Sequence, residues 1–90
     1  MRDEPLIKAV EKWGKPIQLI MCIEEMSELT KEISKYFRGR DNRDQLLEET
    51  ADVYIMLEQL KIMFGFTAKE LGDITENKIK KLEKRLIEDF

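Results

Sequence analysis

The sequence predicts an all-α protein: an antiparallel hairpin of two long helices with two flanking helices, forming a four-helix-bundle-type core completed by oligomerisation. Three observations carry this expectation. Apolar residues recur at helical spacing, and no run alternates apolar and polar residues between turn signals as a strand does. Turn-forming residues are sparse and fall at three places: Gly14-Lys15-Pro16, Gly39 to Asn42, and Gly65-Phe66-Thr67. Charged residues make up 39% of the chain while the net charge is only −3, which suits apolar-striped helices with a solvated outer face rather than disorder.

The elements follow in order. Residues 3 to 13 form a short helix ending near Trp13. Pro16 suits the first turn of the second, because its missing N–H would have no intrahelical partner there. That helix runs to about Arg38, with Gly39 as its stop. The third starts at Asn42, with Gln45 as a capping-box partner, and ends before Gly65. The fourth opens on a second capping box, Thr67 with Glu70, and continues to about Glu88. Gly72 marks a candidate kink, since Asp73 and Glu76 offer a competing start. Residues 1–90 are expected to be one domain, small enough that self-association would supply missing apolar burial.

Several function classes are disfavoured. An acidic balance argues against a nucleic-acid partner, which needs a basic surface. The chain has no histidine, so histidine general bases and zinc–histidine sites are excluded. Cys22 is the sole cysteine and cannot form an internal disulfide, which makes a reducing cytoplasm the expected location. No apolar run approaches the ~20 residues of a membrane span, and MRDEPLIK lacks a signal peptide's hydrophobic region.

The stretch CIEEMSELTKEI, residues 22 to 33, sets glutamates among apolar residues, and LLEETADVYIML does the same near residue 50. On a helical wheel Leu19, Cys22, Ile23, Met26, Leu29, Ile33 and Phe37 form the apolar arc of the second helix. Glu24 points away from it, whereas Glu25 and Glu28 sit at its edge beside Gln18 and Met21. In the third helix Leu46, Val53, Leu57, Leu60 and Phe64 form the stripe, Glu49 borders it, and Asp52 lies one turn on. Each helix thus carries an acid pair at i, i+3. Glu28 stands ten residues from the end of one helix and Asp52 ten from the start of the next, both roughly 15 Å from the turn. If the stripes pack together, four carboxylates converge.

Such a cluster has two remedies, protonation or a hard divalent cation. An all-oxygen, histidine-free shell suits Mg²⁺ or Mn²⁺, and magnesium commonly takes further ligands from substrate phosphates. Solvated acidic helix faces are the plain alternative.

Glu25-Met-Ser-Glu28 followed by Glu49-Thr-Ala-Asp52 resembles the ExxE…ExxD signature of the MazG-like, all-α nucleotide pyrophosphohydrolases. KWGKPIQ, residues 12 to 18, and the flanking IEEMSEL and EETADVYIMLEQL extend the similarity from about Trp13 to Leu86. The resemblance implies hydrolysis of a ribo- or deoxyribonucleoside triphosphate to monophosphate and pyrophosphate. It makes Glu25, Glu28, Glu49 and Asp52 the Mg²⁺ ligands and catalytic carboxylates, and implies a homodimer or homotetramer. Lys81 and Arg85 lie in a segment that resembles the family's basic late-helix stretch, although position 79 is isoleucine where an asparagine is common. Trp13 and Gln18 are further candidates for substrate contact, with core or surface roles as their alternatives. The competing function class is a non-catalytic helical oligomerisation module with solvated acid pairs.

Overall fold

A computed structural model describes residues 1–89. Four helices follow in order, α1 (Glu4–Trp13), α2 (Lys15–Phe37), α3 (Arg43–Phe64) and α4 (Ala68–Glu88), and the described residues contain no strand. All four expected helices are present. Pro16 lies in the first turn of α2, and α4 opens on the Thr67–Glu70 capping box. There the Thr67 Oγ1 accepts from the Glu70 N–H at 3.0 Å, and the Thr67 N–H donates to Glu70 Oε2 at 2.9 Å. Helix α4 runs unbroken through Gly72, so no separate helix begins at Asp73. With the stronger reciprocal cap already in place at Thr67, the start offered by Asp73 is not used.

The chain turns out of α2 by reversing its backbone at Gly39, whose φ of 88° is one that side chains other than glycine rarely adopt. The Gly39 N–H then reaches the Tyr36 carbonyl at 3.0 Å and the Arg40 N–H the Lys35 carbonyl at 3.1 Å, closing the last turn of the helix.

Asn42 departs from expectation. Its side chain makes no cap to α3 and no capping box with Gln45. Instead Nδ2 donates across the hairpin to the Glu32 carbonyl at 2.8 Å and to Glu32 Oε2 at 2.7 Å. A buried carboxamide donor facing a free carbonyl and a carboxylate gains more there than as a local cap, since a hydrogen bond to a charged group is the stronger kind. This clamp ties the start of α3 to the body of α2 rather than to its end.

Helices α2 and α3 form the principal contact, and α1 packs on both. They do not meet through the centres of their apolar stripes. The fully buried residues are Gln18 and Cys22 on α2 and Met56 and Gln59 on α3. Leu19 and Leu29 are half-buried, whereas Ile23, Met26, Ile33 and Phe37 are exposed, as are Leu57 and Phe64 on α3. The contact seam of α2 therefore lies roughly a fifth of a turn from the middle of its stripe, toward the edge carrying Glu25. A stripe that wide exceeds what one neighbouring helix covers.

Helix α4 packs against none of the other three, and every residue in it is exposed. The chain is correspondingly extended, with a radius of gyration of 16.3 Å against about 12 Å for a compact chain of this length. Cys22 and Met56 are the only fully buried apolar residues among those described.

Replacing Asn42 with alanine removes both cross-hairpin bonds and leaves the Glu32 carbonyl without this donor. Its expected cost is about 1–3 kcal/mol, read as a lower denaturation midpoint. Thr67→Ala is expected to cost about 1 kcal/mol of α4 stability, read as reduced helicity by circular dichroism.

Candidate functional site

Midway along the hairpin, Glu25 of α2 faces Glu49 and Asp52 of α3, and carboxylate oxygens of the three lie within 4.8 Å of one another. The hairpin register produces this. Counting residues from the turn levels Glu28 with Asp52, whereas Glu25 in fact stands against Asp52, about one turn away, with Asn42 tying the start of α3 to Glu32. Glu25 and Asp52 thereby come close enough that each carboxyl meets the other's charge.

The electrostatics follow from that crowding. Desolvation pushes the Glu25 carboxyl above its ordinary value, with Asp52, Glu49 and Glu28 adding like-charge repulsion. The Glu49 carboxyl is raised in the same way, by desolvation first and then by Asp52, Glu28, Glu32 and Glu48. Among the described residues no lysine or arginine forms an ion pair with Glu25, Glu49 or Asp52. Neighbouring acids behave differently. Glu32 is held below its ordinary value by the hydrogen bonds from Asn42 and Lys35, with Lys35 Nζ 3.0 Å from Oε1. Glu28 stands outside the trio and pairs with Lys31 at 3.6 Å, although its charge is felt by both Glu25 and Glu49.

Three of the four expected carboxylates thus converge, and the fourth lies beside them. The donor set fits a hard divalent cation: three oxygens of adjustable geometry and no competing nitrogen or sulfur. The lone thiol, Cys22, is buried.

The other candidates are distributed unevenly. Gln18 is 1% exposed, and its Nε2 donates to Met21 Sδ at 3.5 Å while Oε1 receives nothing from the protein. Trp13 is half-exposed at the end of α1, with Lys12 Nζ 5.5 Å from its ring centre. Lys81 and Arg85 lie on exposed α4, which does not touch the hairpin, so a single chain does not bring them to the acids.

One residue escaped the sequence analysis. Gln59, 3% exposed on α3, is buried like Gln18 and also has an unpartnered Oε1. A signal existed: Gln59 follows Asp52 by seven residues just as Gln18 precedes Glu25 by seven. Comparisons with protein-family models, curated proteins and solved structures find no match to this chain. No helix among the described residues is long and apolar enough to cross a membrane.

The raised carboxyls set the sign of the pH dependence. Folding holds the Glu25 and Glu49 protons more tightly than the unfolded chain does. Without metal, their contribution therefore diminishes as pH rises from the ordinary carboxylate range of about 4 through the raised folded values. Glu32 acts oppositely, and its stabilisation is lost as pH falls through its lowered value. Thermal melts across this range, in chelator, are expected to show Glu25→Gln melting higher than the unaltered protein near neutral pH, with a flatter profile.

Proposed function

We propose that the protein is a metal-dependent nucleotide pyrophosphohydrolase of the MazG-like type, hydrolysing a nucleoside triphosphate to monophosphate and pyrophosphate. The observation that carries this reading is the trio Glu25, Glu49 and Asp52: carboxylates held within 4.8 Å with no basic side chain to neutralise them. In water such a group would separate. On two packed helices it cannot, and a dication relieves the repulsion that desolvation has sharpened.

Glu25, Glu49 and Asp52 would hold Mg²⁺ or Mn²⁺, with Glu28 able to join by leaving Lys31. The bound ion would supply charge neutralisation at the phosphates and a more acidic water. The chain's own part is to fix the carboxylates in place and to take a proton. A carboxylate oxygen of the cluster left free by the ion would take the proton of the attacking water as its oxygen bonds to phosphorus and pyrophosphate leaves.

The extended chain also supports self-association into a homodimer or homotetramer. Ile23, Ile33 and Phe37 on α2 and Leu71, Ile74, Leu82 and Leu86 on α4 leave continuous apolar faces exposed. Burying one such side chain is worth about 1.5–3 kcal/mol, and two buried apolar residues are a thin core for a four-helix chain. This favours a bundle completed by a second copy, and it holds whether or not the acids are catalytic.

With Mg²⁺ or Mn²⁺, the purified protein is expected to release pyrophosphate from at least one common ribo- or deoxyribonucleoside triphosphate. Glu49→Ala is expected to lower kcat/KM by several orders of magnitude while preserving the fold by circular dichroism. Failure to release pyrophosphate from any of them with either ion would leave the non-catalytic assembly module as the better reading. Sedimentation should show an oligomer, and Leu82→Glu with Leu86→Glu is expected to shift it toward monomer.

A further inference from the structure

The two buried glutamines stand in a definite relation to the acidic trio. Stepping seven residues from Glu25 toward the start of α2 reaches Gln18, and stepping seven from Asp52 toward the end of α3 reaches Gln59. Seven residues are two turns, so each glutamine shares a helix face with its acid, and the antiparallel register that joins the acids brings the glutamines level. Both pairs lie along one seam, about 10 Å apart, with buried Cys22 and Met56 between them.

Neither glutamine oxygen receives a hydrogen bond from the protein, although Gln18 is 1% and Gln59 3% exposed. Buried acceptors of this kind are uncommon, because each has lost its hydration without a replacement. An apolar pair at the same level would avoid that penalty, so this pairing is costly unless something donates to it.

Helix α1 provides a route to the pair. Asp3, at its start, lines a common pocket with Glu58 and Ile62 of α3, and its far end joins α2 through the single residue Gly14. It therefore crosses the hairpin at the level of Gln18 and Gln59. No residue of α1 is fully buried. Gly14, with φ 84° and ψ 157°, occupies a conformation essentially confined to glycine and is the one residue between the two helices.

We propose that Gln18 and Gln59 form a seat for an amino-bearing nucleobase, reached when α1 swings about Gly14. This rests on the nucleotide reading of the acidic trio. Two open acceptors call for N–H donors, and the exocyclic amino groups of adenine, guanine and cytosine supply them. Each such amino group carries two N–H donors, one for each acceptor, whereas uracil and thymine have only the ring N3–H and leave at least one acceptor unsatisfied. The spacing along the seam is comparable with the reach from a nucleotide's phosphates to its base, so one ligand spans both features. Trp13, beside the pivot, offers a ring on which that base can stack.

Free nucleosides and inorganic tripolyphosphate separate the two halves of this reading. In chelator, adenosine, guanosine or cytidine is expected to raise the melting temperature of the full chain while uridine and thymidine do not. Gln18→Met and Gln59→Met, which keep the side-chain length, are expected to abolish that shift. With Mg²⁺ they should lower kcat/KM for the preferred nucleoside triphosphate by at least about tenfold and leave hydrolysis of tripolyphosphate unchanged. Equal shifts from all five nucleosides, or none, would overturn the seat, and this test on the unaltered chain stands even if a variant does not fold. Methionine variants that keep the full nucleoside shift would overturn it too. A nucleoside shift lost in the variants, without pyrophosphate release from any nucleotide, would uphold the seat and overturn the hydrolase.

Discussion

The hairpin register governs this protein, and a single buried side chain does much to set it. Asn42 gives up the capping role open to it and donates instead to the carbonyl and carboxylate of Glu32. With the start of α3 tied there, the facing residues are determined by helical rise alone. Glu25 meets Asp52 and Glu49, and the level of Gln18 meets the level of Gln59. A slip of one turn would replace the acidic convergence with different pairs. The same clamp helps hold Glu32 in its charged form, so Glu32 is paired with Lys35 and hydrogen-bonded by Asn42 while the acids of the trio are not.

Charge and apolar surface are distributed in complementary ways. The seam between α2 and α3 is unusually polar, carrying two glutamines and bordered by acids, whereas the faces beside it and the whole of α4 are rich in exposed isoleucine, leucine and phenylalanine. A monomer would normally do the reverse. The arrangement makes sense if the polar seam exists for chemistry and the apolar faces for assembly. Crowded carboxylates reduce stability without a cation, and association of the outer faces, as proposed above, would offset that cost.

Much of the fold was legible in the sequence because it depends on local rules. Thr67 and Glu70 cap α4 as a reciprocal pair, Pro16 starts α2, and Gly39 closes it, each through a contact spanning a few residues. The acid pairs were legible too, since i, i+3 spacing puts both carboxylates on one side of a helix. The centre of the stripe was a misleading guide to the contact seam. Periodicity says which side is apolar but not which part of a wide stripe a single neighbour covers. Gln59 was overlooked because its seven-residue spacing from Asp52 gains meaning only when set against the same spacing between Gln18 and Glu25.

By itself, then, the amino-acid order determined four helices, their limits, and the presence of acids along two of them, because hydrogen bonds within a helix and its caps are local. Tertiary structure decided which of those acids meet, leaving Glu28 beside Lys31 and setting Glu25 against Glu49 and Asp52. It also decided that α4 stands apart with Lys81 and Arg85. These outcomes turn on contacts between residues distant in the chain, above all the clamp from Asn42 to Glu32, and no local pattern encodes where such a contact will form.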